Sequence, residues 1–437
     1  MKPINVGLLG IGTVGGGTFA VLQRNAEEIT RRAGRPIRIT AVADRNVGHA
    51  KQATGGICRI TDDAFALVSD PEIDIIIELI GGSGVAKDLV LKAIANGKHV
   101  VTANKALLAK HGNEIFQAAQ EKGVMVAFEA AVAGGIPIIK AVREGLTANR
   151  IEWVAGIING TTNFILSEMR DKGLSFDVAL KEAQRLGYAE ADPTFDIEGV
   201  DAAHKITLLA SLAFGIPVQF DKAHIEGISA LSAIDIQYAE QLGYRIKLLG
   251  ITKRTAEGVE LRVHPTLIPA KRLIANVEGA MNAVLVQSDA VGPTLYYGKG
   301  AGAEPTASAV IADLVDVTRM HTADPGNRVP HLAFQPDQMA DLPILAMDDV
   351  ISSYYLRLHL KDKPGVLADI TRILADEQIS INALIQKEPA DGEDQTDLVM
   401  ITHRTREKRI NSAIAKIEAL DVVAGQVTKL RLEELGN

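Results

Sequence analysis

Along the first 130 residues, short apolar blocks alternate with longer stretches whose apolar residues recur every three or four positions. INVGLLG (4–10) is an apolar run closing on glycine, and IRITAVAD (37–44) is β-branched and closes on Asp44. IDIIIELIGG (73–82) is almost continuously apolar, which suits a strand covered on both faces by helices. TVGGGTFAVLQRNAEEITRR (13–32) predicts one long helix despite its glycines. AKDLVLKAIANGKHVVTANK (86–105) predicts a helix, a glycine stop and a strand, and GNEIFQAAQEKGVMVAFEAAV (112–132) repeats that order. Such alternation predicts the α/β class, with a parallel, doubly wound sheet of Rossmann type.

From about residue 130 the punctuation changes. AAVAGGIPIIKAVREGL (130–146) sets Gly-Gly and Pro before a helix, and NRIEWVAGIING (149–160) reads as a strand ending in a turn. GVELRVHPTLIP (258–269) and AVLVQSDAVGPTLYYG (283–298) are strand-rich, which predicts a mixed α/β domain with its own sheet. GAEPTASAVIADLVDVTRM (302–320) predicts an amphipathic helix after a Gly/Pro turn. The four prolines of 322–343 mark a linker. SSYYLRLHLKDKPGVLADITRILADEQISINALIQKE (352–388) opens a strand–turn–helix–strand unit, with a further strand, helix and strand behind it. The expected boundaries are a first domain at 1–130, a second at 131–301, a helix at 302–320 returning to the first, a linker at 321–348 and a terminal domain at 349–437.

Composition narrows the function classes. The chain has 437 residues, 47% of them apolar but only 4% aromatic, so the core is built mainly from Ala, Val, Ile and Leu. A net charge of −8 argues against nucleic-acid binding, which needs a basic footprint. One cysteine, Cys58, excludes an internal disulfide and a cysteine zinc cluster, and a reducing, cytoplasmic setting is expected. The N-terminal apolar run is too short for a signal peptide, and no stretch approaches the ~20 apolar residues of a membrane span.

GLLGIGTVG places Gly10, Gly12 and Gly15 in G-x-G-x-x-G spacing, after a strand and before a helix. In that context Gly10 makes the tight turn, Gly12 admits a pyrophosphate and Gly15 lets helix pack on strand, with Ile11, Thr13 and Val14 completing the phosphate loop. A tight turn without a ligand is the alternative. Asp44 at the next strand end hints at NAD(H), while Arg45 beside it suits the 2′-phosphate of NADP(H); the balance leans to NADP. Ser83 in LIGGSG (79–84), and Asn104 with Lys105 in VTANKALL (101–108), lie at later strand ends, where a doubly wound sheet lines its ligand crevice.

GYAEADPTFDIEGVDAAHK (187–205) carries five carboxylates, one His and one Lys. Asp201 and Lys205 stand four apart on a strongly apolar helix, so they share a face. A lysine held beside a carboxylate at a closed site can protonate a carbonyl oxygen, which an enzyme that transfers a hydride requires. Glu190, Asp192, Asp196 and Glu198 lie in loop and suit a substrate bearing an ammonium group; a solvated loop is the alternative for each one alone. His204 reads as an ordinary helix residue. Cys58 has no evident base, which favours plain carbonyl/alcohol interconversion over thiol-dependent aldehyde oxidation.

Several segments together resemble homoserine dehydrogenase: AQRLGYAEADPTFDIEGVDAAHK (183–205), GIINGTTNFILSEM (156–169) and TANKALLA (102–109), with the glycine turn. The resemblance covers about 1–320, and LHLKDKPGVLADITRILADEQISI further resembles an ACT domain, whose fold is ferredoxin-like. It implies reversible reduction of L-aspartate 4-semialdehyde to L-homoserine with NADPH or NADH, on the route to threonine, methionine and isoleucine. It implies Lys205 as proton donor, with Lys105 reaching cofactor and substrate and its share in proton transfer open. Asp201 and Glu190 would hold the substrate amine, with Gly160, Thr161, Tyr188 and Asp196 nearby, and Gly302 would touch the cofactor. A monovalent cation (Na⁺) site is implied at EAAVAGGI, from Glu129, Val132, Gly134 and Ile136. The resemblance makes 1–130 the nucleotide-binding domain, 131–301 the catalytic and dimerisation domain of a homodimer or homotetramer, and 349–437 a regulatory domain with threonine as its ligand. Two other readings stay open at this point: a non-catalytic amino-acid-binding regulator, and an oxidoreductase for another amino-acid aldehyde.

Overall fold

In the computed structural model, which describes residues 2–387, 389 and 394–436, the first strand Ile4–Leu9 (β1) is buried along nearly its whole length. Around it lie β2 (Ile37–Ala43), β3 (Arg59–Thr61), β4 (Ile75–Glu78), β5 (His99–Thr102) and β6 (Val126–Ala127), in the order β3-β2-β1-β4-β5-β6. Every pairing is parallel, with Ile4 beside Ile37 and Val6 beside Ile75. Strand order reverses between β2-β1 and β4, which opens a crevice at the strands' carboxyl ends. The expected long helix at 13–32 is two helices, Thr13–Arg24 and Ala26–Ala33, because Asn25 leaves the helical region (φ −109°, ψ 21°). β4 ends at Glu78, short of the expected run, as the glycines beyond it turn the chain with positive φ.

These elements belong to one unit, comprising Met1–Gly160, Val200–Ala223 and Ala280–Leu342. Helix Ala303–Met320 sends Ala307, Val310, Leu314 and Val317 into the same core as Val6, Phe19, Leu22 and Ile75. A separate antiparallel set joins Met281–Ser288 to Ile151–Ile157 on one side and Gly292–Lys299 on the other. Helix Val200–Phe214 is buried at every residue from Asp201 onward, so its charged members sit inside the protein.

The other unit comprises Thr161–Gly199, His224–Gly279 and Pro343–Asn437. Its terminal part follows the expected strand, helix, strand, strand, helix, strand order: Ile351–Lys361, Val366–Asp376, Ile381–Gln386, Gln395–Thr402, Glu407–Glu418 and Val423–Leu432. Both helices supply one core, with Ile370, Leu374, Ile410 and Ile417 against Tyr354, Leu356, Leu358 and Met400. The expected outer limits Met1 and Asn437, and Glu388 in the quoted stretch, lie outside the described residues. The last strand, Val423–Leu432, also pairs in parallel with Val259–Pro269, through Thr266–Arg431 and Leu267–Leu432.

Val259–Pro269 is buried at all positions although it holds Glu260, Arg262 and His264. The charges are matched rather than solvated. Arg262 donates to Glu260 (2.8 Å) and Glu433 (2.6 Å), and Arg431 donates to Glu226 (2.7 and 2.8 Å) and Glu407 (2.9 Å). Tyr354 adds its hydroxyl to Glu407 at 2.8 Å. Burial alone would push Glu226 up, but the bonds from His224 and Arg431 hold it well below the usual carboxylate range. Buried pairs of this kind contribute little net stability when whole and are costly to halve.

Candidate functional site

The sequence pattern becomes geometry first at the glycine turn. Gly10 has φ +88°, and a Cβ on Gly15 would lie 2.1 Å from the Gly10 carbonyl oxygen, so neither accepts a side chain. At Gly12 the space a Cβ would enter is open. Gly12 caps helix Thr13–Arg24 without any side-chain bond to the helix, so its first N–H groups can donate to an anion. Gly10, Gly12 and Arg45 line a crevice of about 900 Å³, with Gly82 and Gly84 on either side of Ser83. Asp44 accepts from the Ile11 N–H (2.9 Å) and the Asn46 N–H (2.8 Å), tying the end of β2 to the phosphate loop. Asp44, Asp62 and Asp63 share this lining with Arg45. The open space at Gly12, the bare helix N-terminus and a crevice of this size fit a dinucleotide.

A second cluster forms where two helices begin. Asn104 caps helix Lys105–Lys122, its side chain accepting from the Leu107 N–H at 3.0 Å, so Lys105 is launched from the end of β5. Lys105 meets Asp201 Oδ1 at 3.0 Å. Lys205, one turn beyond Asp201, donates to Asp201 Oδ2 at 2.6 Å and to the Ile158 carbonyl at 2.7 Å. Asn159 adds a bond to Asp201 Oδ2 at 2.9 Å. The Asp201 and Lys205 side chains are 4% and 10% exposed against 32% for Lys105, so the first two form the buried part of the cluster. Burial would raise Asp201, but Lys205 and Lys105 hold it far below the carboxylate range. It is therefore ionised throughout the physiological range. Two lysines on one fixed carboxylate place an oriented ammonium in a buried site, which suits a proton donor. His204 packs its ring on Phe220 at 4.3 Å, and burial pushes its imidazole down to about 4.

The other expected substrate residues lie in the second unit, except Gly160, which ends the opening segment of the first. A Cβ on Gly160 would come within 2.8 Å of the Ala280 carbonyl. Thr161 donates to the Tyr188 carbonyl (2.6 Å) and lies 3.1 Å from Asp196 Oδ2. The Tyr188 ring packs on Phe164 at 4.7 Å. Glu190 is exposed, and its carbonyl accepts from Gln184 at 3.1 Å. Asp192 accepts from the Thr194 N–H at 3.1 Å, so it shapes its own turn.

Glu129 is 1% exposed, and its carboxylate accepts from the Ile139 and Lys140 N–H groups at 2.8 and 2.9 Å. Burial first, and Asp313 second, push it up to about 7. Gly134 has φ +48°, with no room for a Cβ against Gly300, and Ala133 before it has φ +54°. A buried acid whose carboxyl is pushed up by burial, beside a turn of forced backbone, fits a weakly held monovalent cation. Among the described residues no group of three His, Cys, Asp or Glu is placed to hold a metal. No helix among them is long and apolar enough to cross a membrane.

Two participants escaped the sequence reading. Asn159 stands in IING just before Gly160 and carries no signal of its own. Glu78 was absorbed into an apolar run, where a lone acid at the end of a buried strand was the clue. It is fully buried, and burial pushes its carboxyl up.

The model of the NAD-binding domain of homoserine dehydrogenase matches residues 10–129, that of homoserine dehydrogenase matches 137–315, and that of the ACT domain matches 354–422. A homoserine dehydrogenase of Pseudomonas aeruginosa is 63% identical over 435 residues, covering 100% of both chains, and that of Neisseria gonorrhoeae is 61% identical over the same length. The crystal structure of a homoserine dehydrogenase from Thiobacillus denitrificans superposes with a TM-score of 0.96 at 71% identity, covering 100% of this chain and 99% of that one. A hyperthermophilic archaeal homoserine dehydrogenase in complex with NADPH gives 0.62 at 25% identity, over 72% of this chain and 98% of its own. The chain belongs to the homoserine dehydrogenase family and is an NAD(P)-dependent oxidoreductase acting on a CH–OH group, with a C-terminal ACT domain.

Proposed function

We propose that the chain interconverts L-aspartate 4-semialdehyde and L-homoserine, with Lys205 moving the proton, in the cytosolic synthesis of threonine, methionine and isoleucine. The observation that carries this is the contact of Lys205 and Lys105 with one buried carboxylate, at 2.6 and 3.0 Å. When bound, the reduced nicotinamide supplies the hydride to the aldehyde carbon. Gly10, Ile11, Gly12, Thr13, Val14 and Gly15 hold the cofactor phosphates, with Ser83, Lys105 and Gly302 as further contacts. Lys205 gives its proton to the aldehyde oxygen as the new C–H bond forms, and takes it back from the alcohol in the reverse direction. Asp201 keeps Lys205 charged and aimed. Three donors already use its oxygens, which leaves one lone pair on Oδ1 for the substrate ammonium. The shares of Glu190, Asp196, Tyr188, Gly160 and Thr161 in holding the substrate rest on the resemblance of 156–169 and 183–205.

The cofactor is NADP(H) or NAD(H). Arg45 supports a 2′-phosphate, whereas Asp44, Asp62 and Asp63 in the same lining oppose its charge. Glu129, with Val132, Gly134 and Ile136, holds Na⁺. Threonine acts through the ACT domain, and the enzyme works as a homodimer or homotetramer. The test mixes purified protein with aspartate semialdehyde and NADPH, then NADH, then each with threonine, and follows absorbance of the reduced cofactor. No oxidation in any mixture removes the catalytic reading, and oxidation unaffected by threonine removes the regulatory one.

A further inference from the structure

Glu78 closes β4 as a fully buried carboxylate, and among the described residues no cation pairs with it. Its partners are all neutral donors from two neighbouring strand ends. Oε1 accepts from the Ile80 and Gly81 N–H groups at 3.0 and 3.1 Å, and lies 3.5 Å from Asn104 Nδ2. Oε2 accepts from the Thr102 hydroxyl at 2.7 Å. The same hydroxyl accepts from the Asn104 N–H (2.9 Å), and Asn104 Nδ2 donates to the Gly82 carbonyl (2.7 Å). Ile80, Gly81 and Gly82 line the cofactor crevice, and Asn104 caps the helix that begins with Lys105. One carboxylate therefore grips both the loop under the cofactor and the launching point of a lysine in the proton-transfer cluster.

An apolar side chain would be the ordinary occupant of this strand position. A carboxylate desolvated without a countercharge is costly. What it gives in exchange is a fixed spacing between two loops that have no hydrogen-bonded ladder between them. We infer that Glu78 is a positioning residue for hydride transfer: it sets the loop 79–84 and the start of helix Lys105–Lys122 relative to one another, without touching substrate or cofactor. This rests on the reading of Lys105 and the crevice given above.

The experiment uses the full-length enzyme with protiated and 4-deuterated reduced cofactor. Glu78→Gln keeps the shape but offers only one acceptor oxygen, so either the loop N–H groups lose their acceptor or the Thr102 hydroxyl must turn from donor to acceptor. The expected result is a fall in kcat of about tenfold to a hundredfold, the scale of a small misplacement of reacting groups. Substrate KM should stay within about threefold, and the deuterium isotope effect on kcat should rise as hydride transfer becomes limiting. Thr102→Val should shift kcat and the isotope effect in the same direction, and Thr102→Ser should restore them; this pair decides the matter if Glu78→Gln does not fold. A merely structural role lowers the number of active sites and leaves the isotope effect unchanged, and that outcome overturns the inference. Lys105→Met run in parallel separates the two claims. Full activity there removes the reading of Lys105. An impaired Lys105→Met beside an unchanged isotope effect in Glu78→Gln removes the role of Glu78 alone.

Discussion

Replacing Lys205 by methionine takes away the ammonium and little of the shape. Lys205 Nζ now bonds Asp201 at 2.6 Å and the Ile158 carbonyl at 2.7 Å, in a side chain 10% exposed. Two costs follow and can be separated. The catalytic one is the loss of a positioned acid, about 10²–10⁴ in rate, or about 3–5.5 kcal/mol on the barrier. The structural one is smaller than for most buried ion pairs. Asp201 retains Lys105 at 3.0 Å and Asn159 at 2.9 Å, so it is not left alone, which would cost about 3–5 kcal/mol. The Ile158 carbonyl loses a donor, about 1 kcal/mol more. Cofactor affinity should stay within about threefold, because none of the crevice lining changes. Steady-state turnover, quenching of reduced-cofactor fluorescence and a thermal melt read the three quantities on one preparation. A Lys205→Met enzyme with kcat within about threefold of the parent refutes Lys205 as proton donor. A deeper loss in Lys105→Met than in Lys205→Met would hand the role to Lys105. Parallel loss of turnover and cofactor binding would make Lys205 structural.

Other consequences can be checked independently. Gly15→Ala places a methyl 2.1 Å from the Gly10 carbonyl oxygen and should abolish cofactor binding by fluorescence titration, while the melt of the Val423–Leu432 region, followed by hydrogen exchange, is unchanged. Arg431→Met leaves Glu226 and Glu407 without their shared guanidinium and should destabilise by about 3–5 kcal/mol in urea. Lys247 is buried, and burial pushes its ammonium down to about 8 from a reference of 10.5. Between those values the unfolded chain binds more protons, so this group makes stability rise with pH across about 8–10.5. In Lys247→Met that rise should shrink, by differential melts at matched salt; an unchanged slope refutes the assignment.

How much of this was readable beforehand depends on the kind of signal. The six-stranded sheet was, because glycine spacing and buried β-branched runs are local, and so was the terminal domain's strand and helix order. Asp201 and Lys205 were readable as a pair because a helix puts residues four apart on one face. The contact of Lys105 with the same carboxylate was not, since it joins two helices nearly a hundred residues apart in sequence. GVELRVHPTLIP was legible as a strand, but the burial of its charged residues was not. In fact Arg262 is fully buried, because its carboxylate partner Glu433 arrives from the end of the chain. Glu78 was hidden for the opposite reason: its surroundings were apolar enough to mask it. The break at Asn25 shows the limit of periodicity, which continues across a residue whose backbone does not.

The parallel pairing of Val423–Leu432 with Val259–Pro269 has a bearing on synthesis. A ribosome releases the strand Val259–Pro269 long before the residues that flank it on that side. Until residues 423–433 emerge, Glu226 and Arg262 await Arg431 and Glu433, and one strand edge stands open. Such an edge is a template for wrong partners. Chains cut before Val423 should therefore aggregate or be degraded rather than accumulate. Val423–Leu432 thus acts as a latch, because Val259–Pro269 lacks a second sheet neighbour at Thr266 and Leu267 without it.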